Sequence, residues 1–385
     1  MRPLILVEPI MRGSRLHILS YVMQALHQQR TVILLTRPDY NTEHFQDELG
    51  DLLNAFDIRT TSVDIDGEWF RHLTVSEFLS YIWAVHQIAK DYDEGVDVVF
   101  MAMDEYIVPF MLAGVARFAL TKIEKVYTFR YRVDYWILGA PSIWKQAIKW
   151  VTNTALYGWD ADVLVFDERI TDVRDQVPTT VHVVCDPWSG TFSPDRRETA
   201  RERYNLEEKK IRLLTLGKQS PRKGIGFLTS AMHKVLSDLE MREWLVAGHI
   251  AAPFQDDFNN LKRSLPGSTI THRDEFIPEP ELPDLFASSD IVLLPYHPSF
   301  TASSGVLARA AASGVPVVAT DHGLVGHRVE AWEMGETFPA GDADAFQTAI
   351  QTVLNSSESY TEGLKAFADT CTTKKFSESI KKIIK

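Results

Sequence analysis

The sequence predicts an α/β protein made of two parallel-sheet domains. Three observations predict it. Short apolar runs recur without polar alternation, as in strands buried on both faces, and helical stretches separate them. The chain opens on strand, loop, helix and strand, the start of a doubly wound sheet. Its 385 residues exceed one comfortable core.

Composition narrows the class. With 45% hydrophobic and 24% charged residues, the chain reads as globular rather than low-complexity. A formal net charge of −12 argues against general nucleic-acid binding. The two cysteines, Cys185 and Cys371, form neither a disulfide framework nor a zinc pattern, which suits a reducing compartment. Glu8 ends the first apolar run too early for a signal-peptide core, and no apolar window reaches membrane-spanning length, so a cytoplasmic location is expected.

Leu4 to Val7 is the first strand, Arg15 to Gln29 the first helix and Thr31 to Leu35 the second strand. Gly13 and Ser14, in the loop between the first strand and the first helix, suit close approach of an acceptor or a phosphate; a plain loop is the other reading. Val96 to Met101 is a further strand. Asp104 and Glu105 follow at its carboxyl end, where such sheets present catalytic side chains, although acids also favour first helical turns.

From Arg117 to Trp150 the character changes. Lys122, Lys125, Arg130, Arg132, Lys145 and Lys149 alternate with seven aromatic residues, and only Glu124 and Asp134 oppose them. Such a segment suits anionic lipid headgroups or a lipid-linked acceptor. The competing reading is a core strand, Val126 to Val133, followed by a helix with a solvated basic face.

Val163 to Phe166 and Val181 to Val184 read as strands, and Cys185-Asp186-Pro187-Trp188-Ser189-Gly190 breaks the pattern. The predicted domains are therefore 1–185 and 186–360, followed by a C-terminal helical segment, 361–385. Directly after the strand Ile211 to Leu216 comes a glycine-bounded basic loop, Gly217 to Gly224, carrying Lys218, Arg222 and Lys223 ahead of a helix. Cations and a helix N-terminus converging there suit a diphosphate. The spacing is not that of a Walker loop.

The stretch Ile291 to Thr320 repeats the logic: apolar run, polar loop, Ser303-Ser304-Gly305, an alanine-rich helix, Gly314 and a second apolar run. Free backbone N–H groups and the helix dipole would bind a phosphate there without metal. The D-x-D strings at Asp64, Asp160 and Asp342 are frequent enough in an acidic chain to carry no metal assignment.

Three segments in this order, LLTLGKQSPRKGIGFLTSAM, FIPEPELPDLFASSDIVLLPY and GVLARAAASGVPVVATDHGLVGHRVEAWEMGETF, resemble the GT-B glycosyltransferases, specifically the large group 1 family (glycosyltransferase family 4) of retaining nucleotide-sugar transferases. The resemblance covers roughly residues 187 to 350. It implies two Rossmann-like domains facing one another across a cleft, an acceptor-binding first domain, a donor-binding second domain, and a C-terminal helix packed back on the first. It also implies transfer of a sugar from a nucleoside diphosphate sugar, UDP- or GDP-linked, to a saccharide or lipid-linked acceptor, in polysaccharide, glycolipid or other glycoconjugate synthesis, with no metal. Lys223 matches the family's diphosphate lysine, and Lys218 stands where arginine is usual. Ile277 falls where the backbone meets the base, and Ser303, Ser304 and Gly305 occupy the phosphate loop.

The departures are as informative. The family's paired glutamates, eight residues apart, are Thr301 and Arg309 here, and a third is replaced by His327. Both stay donor-binding candidates, but neither Thr301 nor Arg309 accepts hydrogen bonds as a carboxylate does, so either ribose recognition differs from the family's or Arg309 reaches a phosphate instead. Two other functions therefore stay open: a non-catalytic binding or scaffolding subunit, and a sugar-nucleotide epimerase on the same fold.

Overall fold

The computed structural model describes residues 1–9, 14–37, 57–60, 75–101, 103–115, 122–139, 142–188, 191–207, 209–237, 241–267 and 269–385. The chain divides by internal packing into two units, Met1–Cys185 with Lys374–Lys385, and Asp186–Thr373.

The first unit is built on β1 (Leu4–Val7), β2 (Val32–Thr36), β3 (Asp57–Thr60), β4 (Val96–Phe100), β5 (Ile123–Arg130), β6 (Asp162–Val165) and β7 (Val181–Val183). They form one sheet in the order β3-β2-β1-β4-β5-β6-β7, every pairing parallel. The intervening helices are α1 (Ser14–Leu26), α2 (Val75–Lys90), α3 (Ile107–Val115), α4 (Asp134–Ile137) and α5 (Ile143–Trp159). The all-apolar β1 supplies both faces of the core. Ile5 and Val7 enter one cluster with Phe78, Phe100, Phe110 and Trp159, and Leu4 and Leu6 enter the other with Leu16, Leu19 and Phe129. Strand β5 stops at Arg130 rather than Val133 because the Tyr131 N–H leaves the ladder and donates to Asp104 Oδ2 at 2.7 Å.

The second unit carries β8 (Ile211–Leu216), β9 (Arg242–Ala247), β10 (Ile270–Arg273), β11 (Ile291–Leu294), β12 (Val317–Thr320) and β13 (Gly335–Phe338). These are again all parallel, in the order β10-β9-β8-β11-β12-β13. Its helices are α6 (Arg197–Arg203), α7 (Ile225–Ser237), α8 (Gln255–Ser264), α9 (Leu282–Ala287), α10 (Gly305–Ala312), α11 (Gly323–Ala331), α12 (Ala343–Asn355) and α13 (Thr361–Thr370). Strand β8 pairs with both β9 and β11, so the strand order reverses between β8 and β11. Ligands bind beyond the carboxyl ends of strands at such a switch point.

The C-terminal segment is two helices rather than one. Helix α13 packs against α10, whereas α14 (Thr373–Ile383) belongs to the first unit. Thr372 bridges Trp188, whose indole donates to the Ala368 carbonyl at 2.9 Å, and this pairing between segments far apart in sequence ends α13. Phe376, Ile380 and Ile384 complete the cluster around Leu4 and Leu16. Buried Arg30 fixes the chain end, donating to the Lys385 carbonyl at 3.1 Å while pairing with Asp97 at 2.6 Å.

Candidate functional site

The loops after β8 and β11 meet at the switch point of the second unit. Two glycines permit this. Gly224 has a φ of +78°, and a Cβ there would lie 1.8 Å from the Pro295 carbonyl oxygen, so no other residue lets the loops close on each other. Gly217 has a φ of +83°, and its Cβ would come within 2.8 Å of the Lys223 ammonium. Missing side chains thus make the room in which Lys223 sits.

Lys223 donates to the Leu216 carbonyl at 2.9 Å, and no described carboxylate pairs with it. Burial, with the neighbouring Arg222 charge, pulls its pKa down to about 8. A half-buried cation with no counter-ion among the described residues is poised for an anionic ligand. Arg222 is exposed and lies over the Phe300 ring at 5.1 Å, and its carbonyl accepts from the His297 N–H. Lys218 is exposed beside them.

Across this loop stands α10. Its alanine-rich interior favours helix, and Gly314, at φ +68°, stops it. Ser304 occupies the N-cap position, yet its hydroxyl makes no cap bond and instead pairs with the Tyr296 hydroxyl at 3.0 Å. The first-turn N–H groups of Gly305 and Val306 are therefore not taken by that side chain. Burial pushes the Tyr296 hydroxyl up to about 12, so it stays protonated at neutral pH. Ser303 lies beside Ser304, near the Asp186 carboxyl. Burial raises the pKa of Asp186 against the opposing effects of Arg328, Ser303 and Arg309.

Lys223, Ser303, Ser304 and Gly305 are thus brought to one crevice. Ile277 is buried and sits in the segment after β10. Thr301 is half-buried in the loop before α10, and His327 is exposed on α11. Arg309, one turn into α10, does not point freely to solvent: it donates to Glu279 Oε1 at 2.6 Å and reaches the Gly305 carbonyl at 3.5 Å. Sequence reasoning missed Glu279, Asp186 and Tyr296 as members of this group. The first two lie far from α10 in sequence, so nothing local to α10 points to them.

The first unit holds the remaining candidates. Asp104 follows β4 in a short 3-10 turn, Met103–Glu105. One of its oxygens lies 3.2 Å from the Arg130 guanidinium and the other accepts from the Tyr131 N–H. Arg130 is 3% exposed and also donates to the Tyr135 hydroxyl, whose pKa burial raises to about 12. Ser14 begins α1, and the Glu105 side chain and Gly13 lie outside the described residues. Among the described residues no cluster of metal-ligating side chains occurs.

The basic and aromatic segment resolves into β5 and the two helices α4 and α5. On α5, Ile143, Trp144, Ile148, Trp150 and Tyr157 are exposed, with Ile143 and Trp144 above 80%, and the helix bears Lys145 and Lys149 but no acid. Val108 and Leu112 of α3, which packs on α5, are also exposed. No described helix is long and apolar enough to cross a membrane.

Comparison with known proteins accords with this geometry. Residues 210–356 match the family model described as glycosyl transferases group 1. A GDP-mannose-dependent alpha-(1-6)-phosphatidylinositol monomannoside mannosyltransferase of Mycolicibacterium smegmatis is 28% identical over 221 residues, covering 53% of this chain and 56% of the relative. The chain thus spans little more than half the length of that relative. Among solved structures, Anabaena HepE in complex with UDP and glucose superposes with a TM-score of 0.72 at 14% identity, over 100% of this chain and 99% of that one. Sucrose-phosphate synthase from Thermosynechococcus elongatus gives 0.71 at 16%, over 100% and 98%. Residues 210–356 are thus similar to the glycosyl transferases group 1 family, and the two parallel sheets of the chain are those of the GT-B fold.

Proposed function

We propose that the protein transfers a sugar from a nucleoside diphosphate sugar, UDP- or GDP-linked, to a hydroxyl of a lipid-linked acceptor. The bond from the anomeric carbon to the diphosphate oxygen breaks, the acceptor oxygen forms the new bond and loses its proton, and the nucleoside diphosphate leaves. The observation that carries this reading is that the loop of Lys223, which pairs with no described carboxylate, is joined through the Arg222 carbonyl and the His297 N–H to the loop leading into α10, whose N-cap Ser304 makes no side-chain cap bond. The Lys223 ammonium and the first turn of α10 both stabilise negative charge as it grows on the leaving diphosphate. The second unit is the donor side and the first the acceptor side. Asp104, held by Arg130 and the Tyr131 N–H, serves the acceptor side by positioning, alongside Glu105.

The apolar and basic face of α5 favours a lipid-linked acceptor reached at an anionic membrane surface, on the cytoplasmic side. The relative from Mycolicibacterium smegmatis, a phosphatidylinositol monomannoside mannosyltransferase by name, supports the same acceptor class.

The test is release of nucleoside diphosphate from UDP-, GDP-, dTDP- and ADP-sugars in the presence of extracted lipid acceptors, with wild type and Lys223→Ala. Release from one donor, lost in the variant, is the expected result. If every donor stays intact, the transferase reading falls and a binding subunit takes its place. Conversion of the donor sugar without transfer would instead mark an epimerase.

A further inference from the structure

We propose that Glu279 is the residue that reads the ribose hydroxyls of the donor nucleotide, with Arg309 holding its carboxylate in place; the inference rests on the donor site described above. Glu279 stands in Pro278-Glu279-Pro280-Glu281, where it begins a 3-10 turn after β10. Proline on either side limits the local backbone to few conformations, so the side chain is delivered from a stiff platform. Arg309 approaches from α10. Its Nη2 donates to Glu279 Oε1 at 2.6 Å, and its Nη1 reaches the carbonyl of Gly305, the first residue of the helix, at 3.5 Å.

Gly305 leaves space for that guanidinium, since a Cβ there would lie 2.9 Å from Nη1. One rigid cation therefore spans the first turn of α10 and the carboxylate.

The position decides the chemistry. A bare carboxylate next to a diphosphate site would repel the ligand, but one neutralised by a guanidinium does so weakly. The group a nucleoside diphosphate places next to its phosphates is the ribose, whose adjacent hydroxyls are neutral donors. An ionised carboxylate accepts from such donors strongly, and Glu279, with 30% of its side chain exposed, remains reachable. Arg309 touches the carboxylate rather than the ligand, so it is the positioning residue of the pair.

The experiment is isothermal titration of the full chain with UDP and GDP and with their 2′,3′-dideoxy counterparts, comparing wild type and Glu279→Gln. For the ribose form that binds wild type, Glu279→Gln is expected to weaken affinity roughly tenfold or more. For the dideoxy form, wild type and variant should bind alike. Equal loss for both forms, or no loss for either, overturns the assignment while leaving the donor site standing. Failure of wild type to bind any nucleoside diphosphate overturns the donor site and this proposal together. Should Glu279→Gln fold poorly, Glu279→Asp is expected to give the same ribose-selective loss.

Discussion

The Lys223 ammonium lies 2.9 Å from the Leu216 carbonyl, in space left by the missing side chain of Gly217. Burial lowers its pKa from 10.5 to about 8. Between those values the unfolded chain binds this proton and the folded chain does not. The penalty for holding the charge is therefore present in full below pH 8 and is relieved as pH rises from 8 toward 10.5. A diphosphate selects the protonated form. Its affinity should fall above pH 8, and its binding near pH 8 should take up protons, visible as a buffer-dependent enthalpy in titration calorimetry. Lys223→Met should abolish the uptake and weaken affinity about 10- to 100-fold, yet raise the thermal midpoint of the unliganded protein at neutral pH. A lower midpoint would mean that the lysine supports the fold.

Gly224 makes a separate prediction about what shapes the crevice. A methyl group there meets the Pro295 carbonyl and also imposes side-chain strain on a φ of +78°. Gly224→Ala should cost about 2 kcal/mol or more and lower nucleotide affinity. Gly267→Ala is the control, because among the described residues no non-neighbouring atom lies within 4 Å of its added Cβ, and it should change stability by less than about 0.5 kcal/mol. Chemical denaturation of both variants measures the contrast.

These residues also indicate what a sequence can disclose here. Apolar runs such as Ile291 to Leu294 and the alanines of α10 are local signals, and they mark buried parallel strands and a helix directly. Lys223 and Ser303 to Gly305 were legible because each sits beside a glycine at the end of a strand. Glu279 was not legible, because its partner Arg309 is 30 positions away and only the sheet order β10-β9-β8-β11 brings them together. The C-terminal segment reads as one helix because its apolar spacing continues through Cys371. The Trp188 bridge that divides it is a non-local contact.

Asp104 and Arg130 test whether an acid at a strand end is positioning or chemical. Both side chains are buried, so removing one charge leaves the other uncompensated. Asp104→Asn should destabilise the protein by about 3 kcal/mol or more, and replacing both partners with apolar residues should recover much of that loss. Transfer should then be measured well below the variant's melting temperature and expressed per folded molecule. A rate near wild type there assigns Asp104 to holding the first unit together. A loss of several hundredfold at full folding would place its carboxylate at the acceptor hydroxyl.

The exposed face of α5 bears on where the reaction occurs. Trp144 and Trp150 are 81% and 64% exposed, so Trp144→Ser with Trp150→Ser removes little packing and should leave the thermal midpoint within a few degrees. Cosedimentation with vesicles containing anionic lipid should nonetheless drop about tenfold or more, because each ring loses an interfacial site. Lys145→Glu with Lys149→Glu should act differently. The lysines add attraction that salt screens over a Debye length, so this pair should abolish the preference for anionic over neutral vesicles at low salt and matter little at high salt. Two variants on one helix, one insensitive to ionic strength and one sensitive, separate insertion from attraction. If neither altered vesicle binding, the face would belong to a protein partner, and transfer to soluble acceptors should then proceed without any lipid.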